Sequence, residues 1–206
     1  MAIADGLTTT CTNIQSSGGI QTVFIREWNS TGSPDQIATL GTGTITSIAD
    51  SGGSTSTWGV YETKIETPAL SVTGASVGNA NTYECNLTFN LPQLDLARRN
   101  SITDLQGKCL QVMMLDTNGT YFVIGISGTL TGGDGGLDLA VASHIGTRPQ
   151  TFARLSAVEG GTGAAFSDET GLNVTLTCTQ YELPRTYVAA GAAVSINAAG
   201  LVATVS

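Results

Sequence analysis

Two segments alternate so regularly that they limit the chain to few folds. "TYECNLTFNL" (82–91) puts Tyr83, Cys85, Leu87, Phe89 and Leu91 on one parity and Glu84, Asn86, Thr88 and Asn90 on the other. "LNVTLTCTQYE" (172–182) does the same, with Leu172, Val174, Leu176 and Cys178 against Asn173, Thr175, Thr177 and Thr179. A period of 2 over this length describes a strand with one dry face and one face turned to water or a partner. Weaker strands are expected at 20–28, 44–48, 57–67, 137–143 and 151–158, with Pro68 marking a bend or a sheet edge. "CLQVMMLDTNGTYFVIGI" (109–126) reads as a hairpin whose tight turn takes its positive φ angles from Asn118-Gly119. Both arms of that hairpin are apolar on both parities, which suits the interior or a subunit boundary.

The period changes once. "PQLDLARRNSITDLQG" (92–107) places Leu94, Ala97, Ser101 and Leu105 on one helical stripe, opens on a proline and ends at Gly107. One helix, about 93–106, is therefore expected among eight to eleven strands. The organisation expected is an N-terminal arm (1–19), a β-sandwich domain (20–185) and an Ala-rich C-terminal arm or set of added strands (186–206). That tail is nearly uncharged and suits strand addition to its own sheet or a neighbour's.

Composition sharpens this. Charged residues are 12% of the chain, against about 25% in an average soluble domain. Thr, Ser, Asn and Gly stand where charges would ordinarily keep copies apart. Two readings fit: an acidic, Thr-rich β protein of secreted type, or a subunit whose surface largely faces other protein. The net charge is −8, which opposes binding to a phosphate backbone. The first residues have no basic n-region followed by an apolar run, and no window of 18 apolar residues occurs, so neither a signal peptide nor a membrane span is expected. Cys11, Cys85, Cys109 and Cys178 make no CxxC, and a reducing cytoplasm is expected as the place of synthesis.

Catalytic and cofactor motifs are lacking. "GGTGAAFSDETGLNVTLTC" (160–178) opens like a phosphate loop, but no Lys follows the glycines and the segment runs into a strand instead of a helix. His144 is the single histidine, and no G-x-S-x-G elbow accompanies it. "GGDGGLD" (132–138) is one copy of a calcium-type repeat that needs tandem copies. No catalytic, cofactor-binding or metal-binding residue is expected, and the function is expected to lie in shape and contacts.

The order of strand 82–91, helix, "DTNGTYFVIG" hairpin, glycine loop and "GTGAAFSDETGLNVTLT" segment resembles the tail tube proteins of long-tailed bacteriophages, over roughly residues 18–188. The resemblance implies a virion structural protein, not an enzyme, made in the host bacterial cytoplasm. It implies a β-sandwich subunit with a flanking helix that assembles into stacked, hexameric rings whose inner strands close into an inter-subunit β-barrel. Its partners would be further copies and other virion proteins, and DNA would pass through the lumen without specific binding. Candidate subunit contacts are Gly161, Gly163 and Phe166 in the glycine loop, and Asn118, Gly119 and Tyr121 in the hairpin. Candidate lumen acids, from strand parity, are Glu62, Glu66 and Glu84. Two alternatives stay open: another virion part (head decoration protein, tail terminator or connector), or a receptor- or carbohydrate-binding β module using Trp28, Trp58 and Tyr61.

Overall fold

The computed structural model describes residues 19–27, 36–39, 44–49, 56–64, 67–77, 80–92, 95–126, 152–161, 170–180, 182–188, 195–196 and 202–205. The strands are β1 (Ile20–Glu27), β2 (Gln36–Thr39), β3 (Thr44–Ala49), β4 (Ser56–Glu62), β5 (Ala69–Val77), β6 (Ala80–Pro92), β7 (Leu110–Asp116), β8 (Tyr121–Ile124), β9 (Arg154–Gly161), β10 (Gly171–Gln180), β11 (Arg185–Tyr187), β12 (Ser195–Ile196) and β13 (Val202–Val205). One helix, α1 (Leu96–Asp104), separates β6 from β7. The chain is mainly β, as the alternation requires. Nine strands form one sheet in the order β12-β13-β4-β1-β7-β8-β11-β3-β2, and four form a second in the order β5-β6-β10-β9. Among the described residues neither sheet closes into a barrel on its own.

The two sheets share one dry interior. Val23 and Ile25 of β1 and Leu110, Val112 and Met114 of β7 meet Cys85, Leu87 and Phe89 of β6 and Val174 and Leu176 of β10. These are the apolar parities read from the sequence. Ile102 and Leu105 of the helical segment also belong to this cluster. The nine-stranded sheet has a second buried face, where Phe24, Trp58, Met113, Val123 and Tyr187 pack with Ile45, Ile48 and Phe152. Residues Leu110 to Met114 are consequently all buried, which explains why that arm of the hairpin is apolar on both parities. Fully burying each apolar side chain among them contributes about 1.5–3 kcal/mol.

Several expectations need correcting. Pro92 does not open the helix; it ends β6, opposite Gly171 of β10. Asp95 is the N-cap instead, its carboxylate accepting from the Arg98 N–H at 2.7 Å, because a capping carboxylate satisfies a backbone donor that proline cannot. The buried helical face is set by Ile102 and Leu105, while Ala97 is exposed and Ser101 half-buried. Gly107 does follow the helix in a left-handed conformation, φ +72°. The hairpin turn is also longer than expected. The Gly119 N–H donates to the Asp116 carbonyl at 3.2 Å, and the Asp116 N–H to that of Thr120 at 2.9 Å. This is a three-residue loop with glycine at its left-handed position, φ +81°. The Asp116 carboxylate secures it, accepting from the Asn118 and Thr120 N–H groups.

Strands β2 and β5 were not expected from the sequence, whereas the strand expected at 137–143 lies outside the described residues. The tail adds strands to its own sheet: β13 pairs with β4, Ala203 opposite Trp58, and β12 pairs with β13. The boundary expected between 185 and 186 falls within β11, which lies parallel to β3 and antiparallel to β8.

Candidate assembly surface

The four-stranded sheet presents the most regular surface among the described residues. The inner parity of its central strands β6 and β10 is buried, and the outer parity of the sheet forms a polar wall. Registers place Ala69, Thr88, Thr175 and Ala157 in one row and Ser71, Asn86, Thr177 and Arg154 in the next. A third row runs Thr73, Glu84, Thr179. Side-chain hydrogen bonds tie the wall together, from Asn90 to Asn173 at 2.8 Å and from Asn86 to Glu84 at 3.2 Å. Its charges are few: Glu84, Glu159 and Arg154.

The two edges of this sheet differ. β9 is interrupted by a bulge opposite Thr175–Leu176 and carries Arg154 and Glu159. β5 follows Pro68, runs "ALSVTGASV" without a charge or a bulge, and is exposed from Ser71 to Ser76. Natural edges are usually blunted by Lys, Pro, bulges or inward charges. β5 has none of these along its length.

A Cβ on Gly160 would lie 2.2 Å from the Gly171 carbonyl, and one on Gly171 would lie 2.8 Å from the Leu91 carbonyl. These glycines let backbones approach closely at the end of the sheet. Gly161 ends β9, exposed, with open space around it. Gly163 and Phe166 lie outside the described residues.

The other expected contacts are dispersed. Asn118 and Gly119 are exposed at the tip of the β7–β8 hairpin, in the nine-stranded sheet. Tyr121 is half-buried, and its ring stands 6.2 Å from those of Phe24 and Tyr187, so the subunit's own interior uses it. Of the three acids, Glu84 lies on the polar wall, Glu62 ends β4 in the other sheet, and Glu66 is outside the described residues. His144 and residues 132–138 are also outside them. Trp58 is fully buried, with the Arg26 guanidinium 5.5 Å from its ring centre. Tyr61 is half-buried against Phe89, and Trp28 is outside the described residues, so Trp58 and Tyr61 offer no flat exposed platform for a sugar.

One groove of about 390 Å³ opens between β4 and α1, lined by Tyr61, Glu62, Leu91, Asp95, Arg98 and Ser101 among others. Asp95, Arg98, Tyr61 and Ser101 in it already serve the fold. Asp95 caps the helix and forms an ion pair with Arg98. The Tyr61 hydroxyl and Ser101 Oγ are 3.4 Å apart; burial pushes the Tyr61 phenol up, and the bond to Ser101 partly offsets this. Among the described residues no three His, Cys, Asp or Glu side chains gather as a metal site, and no helix is long and apolar enough to cross a membrane. Comparison with family models, with curated proteins and with solved structures finds no match.

The β5 edge escaped the sequence reading because "ALSVTGASV" is poor in strong strand formers. Two signals pointed to it: Pro68 immediately before it, and Leu70 and Val72 on one parity.

Proposed function

We propose that this chain is a structural subunit of a bacteriophage virion that assembles into stacked rings, forming a tail tube through which DNA is ejected. The observation that carries this reading is the β5 edge, nine residues long and with no strand on its outer side among the described residues. A second strand laid along it would satisfy its outward backbone groups and extend the sheet. Repeating that pairing around a closed ring, hexameric in the family the chain resembles, would join the four-stranded sheets into one inter-subunit barrel. The Thr/Asn/Ser wall then supplies a lining with few charges, and Glu84 and Glu159 keep it slightly acidic. Like charge repels a passing phosphate backbone only within about 8 Å at physiological salt. Such a lining would let DNA pass without holding it. The exposed hairpin tip at Asn118-Gly119 is available to meet a neighbouring ring or another virion protein.

Electron microscopy of the purified chain should reveal rings or tubes of uniform diameter. The variant V72K puts a charge on the inward parity of β5, where Val72 is 36% exposed and a lysine can reach water. It should abolish assembly while costing the folded monomer no more than about 1 kcal/mol. A chain that stays monomeric at every concentration, with other virion proteins added, would overturn the reading.

A further inference from the structure

Cys85 of β6 and Cys178 of β10 stand directly opposite each other on the dry face of the four-stranded sheet. Neither takes part in the assembly surface. Directly opposed residues of antiparallel strands have Cα atoms roughly 4.5–5.5 Å apart, within the span a disulfide accepts. We infer that Cys85 and Cys178 are a latent cross-strand disulfide, reduced where the chain is made and closed by thiol–disulfide exchange once a small-molecule disulfide is present.

The surroundings assign each thiol a role. Cys178 donates its S–H to Gln180 Oε1 at 3.4 Å, and its sulfur lies beside that of Cys85. The neighbouring Cys178 pulls the Cys85 thiol down, while the interaction with Cys85 and then burial push the Cys178 thiol up. Exchange runs through the thiolate, and Cys85 is the thiol that lies opposite Val72 of the edge strand β5, so Cys85 attacks first. With glutathione disulfide, the Cys85 sulfur bonds to one glutathione sulfur and the other leaves as glutathione thiolate. Cys178 then gives up its proton to solvent and attacks the Cys85 sulfur, releasing the second glutathione. The protein loses two protons and two electrons, and one glutathione disulfide becomes two glutathione thiols. Gln180 loses one donor in this process but keeps the Gly125 N–H, at 3.3 Å.

Access is the controlling step, because Cys85 is fully buried and Cys178 is 4% exposed. The row they occupy continues to Val72, opposite Cys85 on the open edge strand. Detaching β5 therefore uncovers Cys85. The pair lies inside one subunit, so this chemistry stands whether or not the chain forms tubes.

The test is to incubate the reduced full-length chain with glutathione disulfide, with and without mild urea, and map its cysteines by non-reducing digestion and mass spectrometry. The expected product is a Cys85–Cys178 linked peptide, lighter by two hydrogens, formed slowly in buffer and faster in urea or in V72A. The link closes a loop of roughly a hundred residues, so the oxidised chain should melt about 10 °C higher, reversibly on reduction. Mixed disulfides alone, links made only through Cys11 or Cys109, no reaction even in mild urea, or a linked chain that melts lower would overturn the inference.

Discussion

The central strands of the two sheets are built to different rules. β7, in the nine-stranded sheet, has Leu110, Val112 and Met114 facing the shared interior and Met113 facing a second apolar cluster. β10, in the four-stranded sheet, buries Val174, Leu176 and Cys178 but turns Thr175, Thr177 and Thr179 outward. The larger sheet is thus dry on both sides near its centre, and the smaller is a wall with a single dry side. A sheet covered on both faces favours apolar residues there, because a buried polar group without a partner, such as the Gln111 amide of β7, is costly. A wall can change its outer face without disturbing the fold, and that is where contacts with other molecules can vary.

Substitutions can test how far that difference extends. The largest effect is expected from M113K, which places an ammonium on the second dry face; it should cost more than about 4 kcal/mol in urea denaturation. Near-native stability would show that this face is open to water. G125A should cost about 3 kcal/mol by the same measurement. Gly125 has φ +82°, and an added Cβ would lie 2.5 Å from the Leu110 carbonyl.

The seam between the sheets comes next. Gln180 of the wall is fully buried; it accepts from the Gly125 N–H and donates to the Ile126 carbonyl at 3.4 Å, both just beyond β8. Q180L leaves those groups without their partner and should lower stability by about 2 kcal/mol. If the cost is negligible, the sheets are held by packing alone. G119A keeps the positive φ of the turn but meets nothing within 4 Å, so about 1 kcal/mol is expected in thermal denaturation. The smallest effect should come from T88K, on the outer face of the wall: within about 0.5 kcal/mol. A large loss there would show that the wall is packed against something in the monomer.

The sequence was most informative where one parity was purely apolar. Residues 82–91 and 172–182 revealed both their strands and their buried faces, because alternation depends only on neighbours along the chain. It was least informative where pairing decides structure. β5 has little strand propensity and is held through its register with β6, from Ala69 opposite Thr88 to Val77 opposite Ala80. The helix start was misplaced because Pro92 and Asp95 both signal an N-terminus, and the pairing of Pro92 with Gly171 resolved the conflict. Cys85 and Cys178 were each readable as buried, but their meeting depends on which residue of β10 faces which residue of β6. The β5 edge is likewise a product of sheet order, which no local pattern encodes.

The position of β1 has a consequence in time. It comes early in the chain, yet it lies between β4 and β7, with β2, β3, β5, β6 and α1 all falling in sequence before its second partner. Until β7 arrives, a strand with four consecutive buried residues, Val23 to Arg26, has one backbone edge unmatched. Such long-range closure is slow, on the order of milliseconds to seconds for all-β chains. During that interval β1 is the segment most open to pairing with the wrong strand, and aggregation during synthesis should begin there.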